Sequence, residues 1–574
     1  MKLSGAHLLI EALKAEGVEV LFGFPGGVVI PAFDALYGER AIRLVLARHE
    51  QGAVHAADGY ARSTGKVGVC LVTSGPGATN TVTGLATANF DSVPLVVLTG
   101  QVSRNMIGND AFQEADIVGI SRSITKHNYL VTDRKDLGRV LREAFFIARS
   151  GRPGPVLVDI PKDVLTEVSA DALPESVAIR GYSPVYKGHP LQIRKAAQAL
   201  ARAKRPVFYI GGGLNISGAA EVFRKVVERV NVPTTASLMG ISVLASDHPR
   251  FLGMIGMHGT YASNTAVQNC DLLFAIGTRF DDRATGDLSK FAPHASVVHV
   301  DIDPASISRN VAVEIPIVGD ARMVLEDLLP HLQAPDISEW IRKTDEWKET
   351  HPLTEIEGKG RLSPTAVIRS IAEAFPEAIV TTEVGQNQMW TAQYFTFHEP
   401  RSFLTSGGLG TMGYGFPAAI GAQLGNPGRR VIDIAGDGSI QMNIQELATA
   451  VNERLPVIVA ILNNGYLGMV RQWQELFYKK RYSGVCLERN AGCPPDCADP
   501  EEGCPAYTPD FVKLAEAYGA LGIRVEKPAE IGPALERARR TTDRPIFLDF
   551  RIDREANVWP MVPAGAGIHE MMNA

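Results

Sequence analysis

The sequence predicts an α/β protein made of three doubly wound parallel-sheet domains. Three observations carry the prediction. Short apolar runs of strand length alternate with stretches of helical periodicity, the pattern of a parallel sheet covered by helices on both faces. Many of those runs end at Gly, Asp or Thr, where a chain turns at the carboxyl end of a strand. Finally, 574 residues exceed what one core holds, whereas three domains of roughly 150 to 200 residues fit.

The first domain is expected over residues 1–170, with strands at Val18–Phe22, Leu44–Leu46, Val67–Val72, Leu95–Leu98 and Val156–Ile160. A linker around Ala172 to Pro190 leads to the second domain, 190–330, whose strands are Val207–Ile210, Leu272–Ile276 and Val297–Ile302. It closes near Gly319-Asp320 and the helix after them. A charged helical connector, Ile337 to Thr350, precedes the third domain, 363–550. There Val431–Ala435 reads as a buried strand, Asn443–Val451 as a helix and Pro456–Leu462 as a second strand. The tail, 551–574, contains Trp559-Pro560-Met561-Val562-Pro563 and is too short for a domain, so it must pack on something else. No short-period repeat or low-complexity tract interrupts this plan.

Hydrophobic residues at 45% and charged ones at 21% exclude a disordered chain. A net charge of −6 gives no long-range attraction to nucleic acid or to an anionic membrane, so neither is an expected partner. Anionic substrates would need local cations. The start, Met1-Lys2-Leu3-Ser4, leads into an amphipathic stretch rather than an apolar signal core, and no apolar run approaches the ~18 residues of a membrane span. The expected compartment is the cytoplasm.

Two of the six cysteines, Cys70 and Cys270, sit in or beside apolar strands as small core residues. The other four, Cys486, Cys493, Cys497 and Cys504, fall in or beside a Pro-, Asp- and Gly-rich segment, Arg489 to Tyr507, without helical or strand periodicity. Six, three and six residues separate them, which matches no common ligand spacing. Metal ligands, disulfide pairs and free thiols all stay open.

Gly436-Asp437-Gly438 and Asn463-Asn464 each follow an apolar run, with one helical stretch between. Such a unit is parallel and right-handed, so Asp437 and Asn464 emerge together at the carboxyl edge of neighbouring strands, where open sheets bind ligands. Two hard oxygen donors beside glycine turns suit magnesium, and a helix amino end beyond Ser439 suits phosphate. The plain alternative is a surface Asp-Gly turn near an unrelated Asn pair.

Glu50 stands at a second such corner, between the strand Leu44–Leu46 and an Ala-rich helix running to Tyr60. As a helix-initial residue it could serve only as a cap or dipole partner. The glycine turns Pro25-Gly26-Gly27 and Ser74-Gly75-Pro76-Gly77 lie at strand ends of the same sheet and leave room for a bulky ligand.

The third-domain motif resembles the diphosphate anchor of thiamine-diphosphate enzymes, and the Glu50 region resembles their pyrimidine-binding domain. Further runs extend the likeness: Gly108-Asn109-Asp110-Ala111-Phe112-Gln113-Glu114-Ala115-Asp116, Ser123-Ile124-Thr125-Lys126-His127-Asn128, Gly151-Arg152-Pro153-Gly154-Pro155-Val156, Gly256-Met257-His258-Gly259, Phe280-Asp281-Asp282-Arg283 and Leu467-Gly468-Met469-Val470-Arg471-Gln472-Trp473. Jointly they are similar to the catalytic large subunits of the biosynthetic, FAD-containing acetohydroxyacid (acetolactate) synthase family. The three domains would then be pyrimidine-binding, central FAD-binding and diphosphate-binding, with the tail covering the active site.

The resemblance implies thiamine diphosphate, Mg2+ and FAD as cofactors. It assigns Asp437, Asn464 and the carbonyl of Tyr466 to magnesium, and places Pro76, Gly385, Gln386, Asn387, Gly410, Met412, Gly436, Gly438, Ser439, Leu467, Gly468 and Met469 around the coenzyme. Glu50 would share a proton with the pyrimidine ring, which calls for a buried carboxyl of raised pKa. Gly27, Phe112, Gln113, Lys162, Arg283 and Trp473 fall at the reacting end. The FAD positions are Arg152, Gly211, Gly212, Gly213, Leu238, Met239, Met257, His258, Gly277, Arg279, Asp301 and Asp320. Arg283 as a surface ion pair, Trp473 as core and His258 as a loop histidine are the structural alternatives.

The implied reaction is decarboxylation of pyruvate and ligation to a second 2-oxoacid, pyruvate or 2-oxobutyrate, the first common step towards valine, leucine and isoleucine. The implied assembly is a homodimer or homotetramer with a small regulatory subunit. Another flavin-containing member such as pyruvate oxidase, or a non-catalytic paralogue, is the alternative. Asn387 stands where many members carry histidine and Ser103 where many carry proline, which bears on inhibitor binding. Most members lack the cysteine-rich insertion.

Overall fold

The computed structural model describes all residues except 1, 171, 359, 495–496, 498–503, 506 and 574. Three six-stranded sheets organise it, and every strand pairing within them is parallel. In the first, the strands lie in the order Arg43–Leu46, Val20–Phe24, Gly68–Val72, Leu95–Gln101, Pro155–Pro161, His127–Leu130. Counted along the chain, that is 2-1-3-4-6-5. The third sheet repeats it with Phe403–Leu404, Ile379–Thr382, Val431–Gly436, Ile458–Asn463, Ile546–Arg551 and Leu521–Val525. The central sheet differs: Phe251–Met254, Thr234–Ala236, Pro206–Ile210, Leu272–Ile276, Ser296–Asp301 and Ile315–Val318 run 3-2-1-4-5-6, the dinucleotide-binding order.

Alternation along the strands explains why they read as continuous apolar runs. Leu21, Leu71 and Leu98 enter one core with the helices Gly5–Ala15 and Leu137–Arg149, while Phe22, Cys70 and Val97 enter another with the helix Glu50–Thr64. Both faces of the sheet are therefore buried. Cys70 and Cys270 are core residues, as expected.

The first and third sheets are joined by the helix Glu50–Thr64 packing on the helix Gly415–Gly425. Their backbones approach so closely that a Cβ on Gly421 would strike the Ala56 carbonyl. A buried polar network crosses the same seam: Arg62 pairs with Asp58 at 2.5 Å and Asp91 at 2.9 Å, and Tyr414 donates to Asp58 at 2.7 Å.

Two expectations need correction. Edge strands such as His127–Leu130 and Phe403–Leu404 escaped the sequence reading because they are short or partly exposed. The helix expected over Asn443–Val451 begins only at Leu447, after 3-10 turns at Ile440–Met442 and Ile444–Glu446. Asn443 interrupts it: its backbone is non-helical and its side-chain amide donates to the Gly413 carbonyl at 2.6 Å.

The connector is the helix Ser338–Thr350, anchored by Trp340, whose indole donates to the Pro206 carbonyl at 3.1 Å. The tail packs on the central and third domains, with Val562 N–H donating to the Met257 carbonyl at 2.8 Å and Val558 N–H to Gln472 Oε1 at 2.8 Å. No helix among the described residues is long and apolar enough to cross a membrane.

Candidate active site

Gly436 pairs with Leu462 in adjacent parallel strands, so the chain beyond each delivers Asp437 and Asn464 side by side. Gly465 N–H donates to Asp437 Oδ2 at 3.0 Å, Tyr466 N–H donates to Asn464 Oδ1 at 3.0 Å, and Asn464 Nδ2 donates to Gln386 Oε1 at 3.3 Å. Asp437 is sealed from solvent, and burial pushes its carboxyl up to about 7. A carboxylate that dry favours a bound cation, and the surrounding donors are the hard oxygens magnesium accepts.

The nearby glycines are needed for space: a Cβ on Gly438 would strike Leu467, and one on Gly468 would strike Gln386. Ser439 closes the turn, its hydroxyl accepting from Gly436 N–H at 3.1 Å. Gly385, at φ 146°, precedes the helix Gln386–Tyr394. Asn387 spends its amide on the carbonyls of Glu383 and Ile434, at 2.9 and 2.8 Å.

In the first sheet Glu50 begins its helix, 8% exposed, and accepts from Asn80 Nδ2 at 2.9 Å. His49, not Glu50, supplies the cap, its ring accepting from Gln51 N–H. The Ser74–Gly77 turn closes around the same point: a Cβ on Gly77 would contact Glu50 Oε1, and one on Gly75, at φ 57°, would press on Gln113. Pro76 starts the short helix that carries Thr79 up to Asn80. Gly27, Lys162 and Phe112 are exposed, Phe112 at 87%.

A cleft of about 840 Å³ opens at the carboxyl ends of the central strands. Arg152, Gly212, Gly213, Leu238, Met239, Met257, His258, Gly277, Arg279, Asp301 and Asp320 all line it. Gly211 does not; it serves the close approach behind, donating to the Ile276 carbonyl at 3.0 Å. Gly213 and Gly277 touch backbone to backbone at the switch between strands one and four, the place where this strand order binds dinucleotides.

Burial pushes Asp301 up to about 6 and His258 down to about 4. His258 donates through Nδ1 to the Pro560 carbonyl at 3.1 Å, leaving Nε2 buried with no hydrogen-bond partner among the described residues. The cleft continues past Gly385, Gly410 and Met469 to Arg283 and Trp473. The Arg283 guanidinium stands 5.8 Å from the Trp473 ring, and its salt bridge to Asp282 spans a loose 3.9 Å, so Arg283 is free to meet an anion.

The structure thus joins the predicted FAD positions, other than Gly211, and the Arg283–Trp473 pair in one cleft, with the Asp437–Asn464 pair assembled on the neighbouring third sheet. Glu50, Gly27, Phe112, Gln113 and Lys162 do not line that cleft.

Several residues that shape the site were not read from the sequence. Glu446 accepts from Arg48 N–H at 3.0 Å and His49 N–H at 2.9 Å, fixing the turn before Glu50. Glu383, its carboxyl pushed up by burial, accepts from Gly413 N–H at 2.6 Å and Phe416 N–H at 3.2 Å, holding the segment that carries Gly410 and Met412. Asn80 and Tyr507, the latter linked to the Asp437 carbonyl through Gln441 Nε2, complete the set. A carboxylate inside an otherwise apolar and amide-rich stretch was the available signal for Glu383 and Glu446.

Comparison with known proteins agrees with this geometry. Residues 3–120, 193–328 and 383–550 match, respectively, the N-terminal TPP binding domain, the central domain and the C-terminal TPP binding domain of thiamine pyrophosphate enzymes. The chain is 47% identical to the acetolactate synthase isozyme 3 large subunit of Escherichia coli (strain K12), over 99% of this chain and 98% of that protein. It is 49% identical to an acetolactate synthase of Mycobacterium bovis, over 100% and 92%, and 48% identical to the acetolactate synthase large subunit of Corynebacterium glutamicum, over 100% and 90%. The chain belongs to the acetolactate synthase large-subunit family of thiamine-diphosphate enzymes.

Proposed function

We propose that this chain decarboxylates pyruvate and joins the two-carbon unit to a second 2-oxoacid, pyruvate or 2-oxobutyrate, at a site shared by two copies of the chain. The observation that carries the reading is the pair of corners on sheets of identical strand order: a sealed Asp437 beside Asn464 on one, and a Glu50 held by Asn80 on the other. Thiamine diphosphate, when bound, supplies the electron sink for decarboxylation.

Asp437, Asn464 and the Tyr466 carbonyl would hold Mg2+, with Gly436, Gly438, Ser439, Leu467 and Gly468 shaping the space for the diphosphate. Gly385, Gln386, Asn387, Gly410, Met412 and Met469 support the coenzyme's body. Glu50 would hold and return a proton at its carboxyl for the bound coenzyme. Arg283 orients the acceptor's carboxylate with its planar fork. Trp473 lies alongside, so an acceptor with one more methylene gains contact, about 1 to 3 kcal/mol of preference for 2-oxobutyrate.

The central cleft suits FAD by volume, strand order and the unpartnered His258 nitrogen. Decarboxylation and ligation require no net redox change, so FAD is structural here. Exposed Gly27, Phe112 and Lys162, together with Ile30, Tyr37 and Met106 on the same domain, support a partner chain laid against the Glu50 face. That makes a homodimer the smallest working unit, divided as 1–170, 190–330 and 363–550 with the tail 551–574 over the site. Because relatives are named large subunits, a small regulatory subunit is the further partner.

Incubation with pyruvate, thiamine diphosphate, Mg2+ and FAD tests the reading. Acetolactate should accumulate, and added 2-oxobutyrate should divert the product to 2-aceto-2-hydroxybutyrate. Flavin reduction under pyruvate without acetolactate would instead mark an oxidase.

A further inference from the structure

The cysteine-rich insertion is tied to the Asp437–Tyr466 site at both ends. At its start Cys486 bridges Tyr466 in antiparallel register, with Leu467 N–H donating to the Val485 carbonyl at 2.9 Å and Leu487 N–H to the Gly465 carbonyl at 2.8 Å. At its end the Tyr507 hydroxyl accepts from Gln441 Nε2 at 3.1 Å, and the same amide nitrogen donates to the Asp437 carbonyl at 2.9 Å. Between these anchors Cys486, Cys493, Cys497 and Cys504 all line one cavity of about 30 Å³, with Tyr466 as its floor.

We infer that these four thiols, as thiolates, bind a single thiophilic divalent cation of the zinc class. The cavity has room for one ion, whereas a multi-iron cluster with its bridging sulfides is larger. Of the three gaps, the Cys493–Cys497 one alone, at three residues, falls within the spacing of paired zinc cysteines. The Cys493 sulfur is already supported as an outer shell would support it: Asn490 N–H donates to it at 3.5 Å, and Cys493 N–H donates back to the Asn490 carbonyl at 3.1 Å.

A four-thiolate site around a divalent ion keeps net negative charge, and the Arg489 guanidinium is placed to offset it, while the charge of Arg554 is balanced by Glu488, which also lines the cavity. Arg489 lines the cavity, and Arg554, paired with Glu488 at 2.6 Å, lies over the Tyr466 ring at 4.9 Å. Among the described residues no group of three or more acid, histidine or cysteine side chains stands positioned to hold a metal ion. Binding therefore turns the thiols inward and releases their protons to solvent.

The test is metal analysis of the purified full-length protein, kept reduced and saturated with Mg2+ and thiamine diphosphate, after zinc loading and dialysis. One zinc per chain should remain and be released by a mercurial that blocks thiols. Cobalt in its place should show thiolate charge-transfer and tetrahedral visible bands, a readout on the wild-type protein that needs no variant. Cys493→Ser with Cys497→Ser should lose both signals while keeping the wild-type far-ultraviolet circular dichroism. The inference is overturned if the reduced wild-type protein retains no thiolate-bound metal, if the four cysteines are isolated as two disulfides, or if the double variant keeps its zinc.

Discussion

The first and third sheets share one strand order and each carries a key carboxylate beyond a strand's carboxyl end, Glu50 after the edge strand Arg43–Leu46 and Asp437 after the inner strand Val431–Gly436, and the surroundings of the two differ. Asp437 is sealed beneath Tyr507 and the Gly465 amide, and burial pushes it up to about 7. Glu50 is held by one side-chain amide, Asn80, on a domain whose loops carry exposed Phe112, Gly27 and Lys162. Topology fixes where a ligand binds, and local burial fixes what each acid does there. The sealed acid suits a permanent cation, and Glu50, itself buried beside exposed loops, suits proton exchange once a partner covers that face.

The largest effects break the comparison outright. Asp437→Ala should abolish Mg2+-dependent binding of thiamine diphosphate, read by calorimetry, and activity with it. Glu50→Gln should lower kcat by ~10²–10⁴-fold while coenzyme affinity holds within a few-fold; an unchanged kcat would remove Glu50 from the chemistry. Trp473→Leu should shift the acceptor ratio towards pyruvate by about 10-fold or more, measured by competition between the two 2-oxoacids.

A third carboxylate separates burial from ligand binding. Asp159 lies inside the first sheet, bonded to Thr99 at 2.7 Å and Gln101 at 3.0 Å, and burial raises it from 3.8 to about 7. The folded state therefore holds its proton more tightly than the unfolded chain does. Its contribution to stability is complete below about pH 4 and is lost as pH rises to about 7, at about 1.4 kcal/mol per unit of pKa difference. Asp159→Asn should flatten that part of the unfolding free energy against pH, with little change in coenzyme affinity. The smallest effect sharpens the third-sheet side: Cys493→Ser with Cys497→Ser should weaken coenzyme binding by about 5-fold through the Cys486–Tyr466 bridge.

The chemistry legible in the sequence was that carried by local pattern. Asp437 and Asn464 stood out because each ends an apolar run, and Glu50 because it begins a helix after one; the flavin positions came from resemblance. Contacts between distant parts of the chain left no such mark. Glu446 reaches Arg48 across 398 positions, and Glu383 meets Gly413 across 30, so neither could be assigned from spacing. Short edge strands were missed for a related reason: their pairing comes from the sheet, not from their own apolar content. The helix after Ser439 starts later than its periodicity predicts because Asn443 bonds the Gly413 carbonyl instead of continuing a turn.

Mixing two inactive variants tests the shared site most directly. Chains carrying Glu50→Gln and chains carrying Asp437→Ala are dissociated together, reassembled with thiamine diphosphate, Mg2+ and FAD, and assayed for acetolactate. If each site takes its acid from one chain and its cation from the other, every mixed dimer regains one intact site and activity returns. Mixed dimers that form, as shown by mass, and stay inactive would contradict the account.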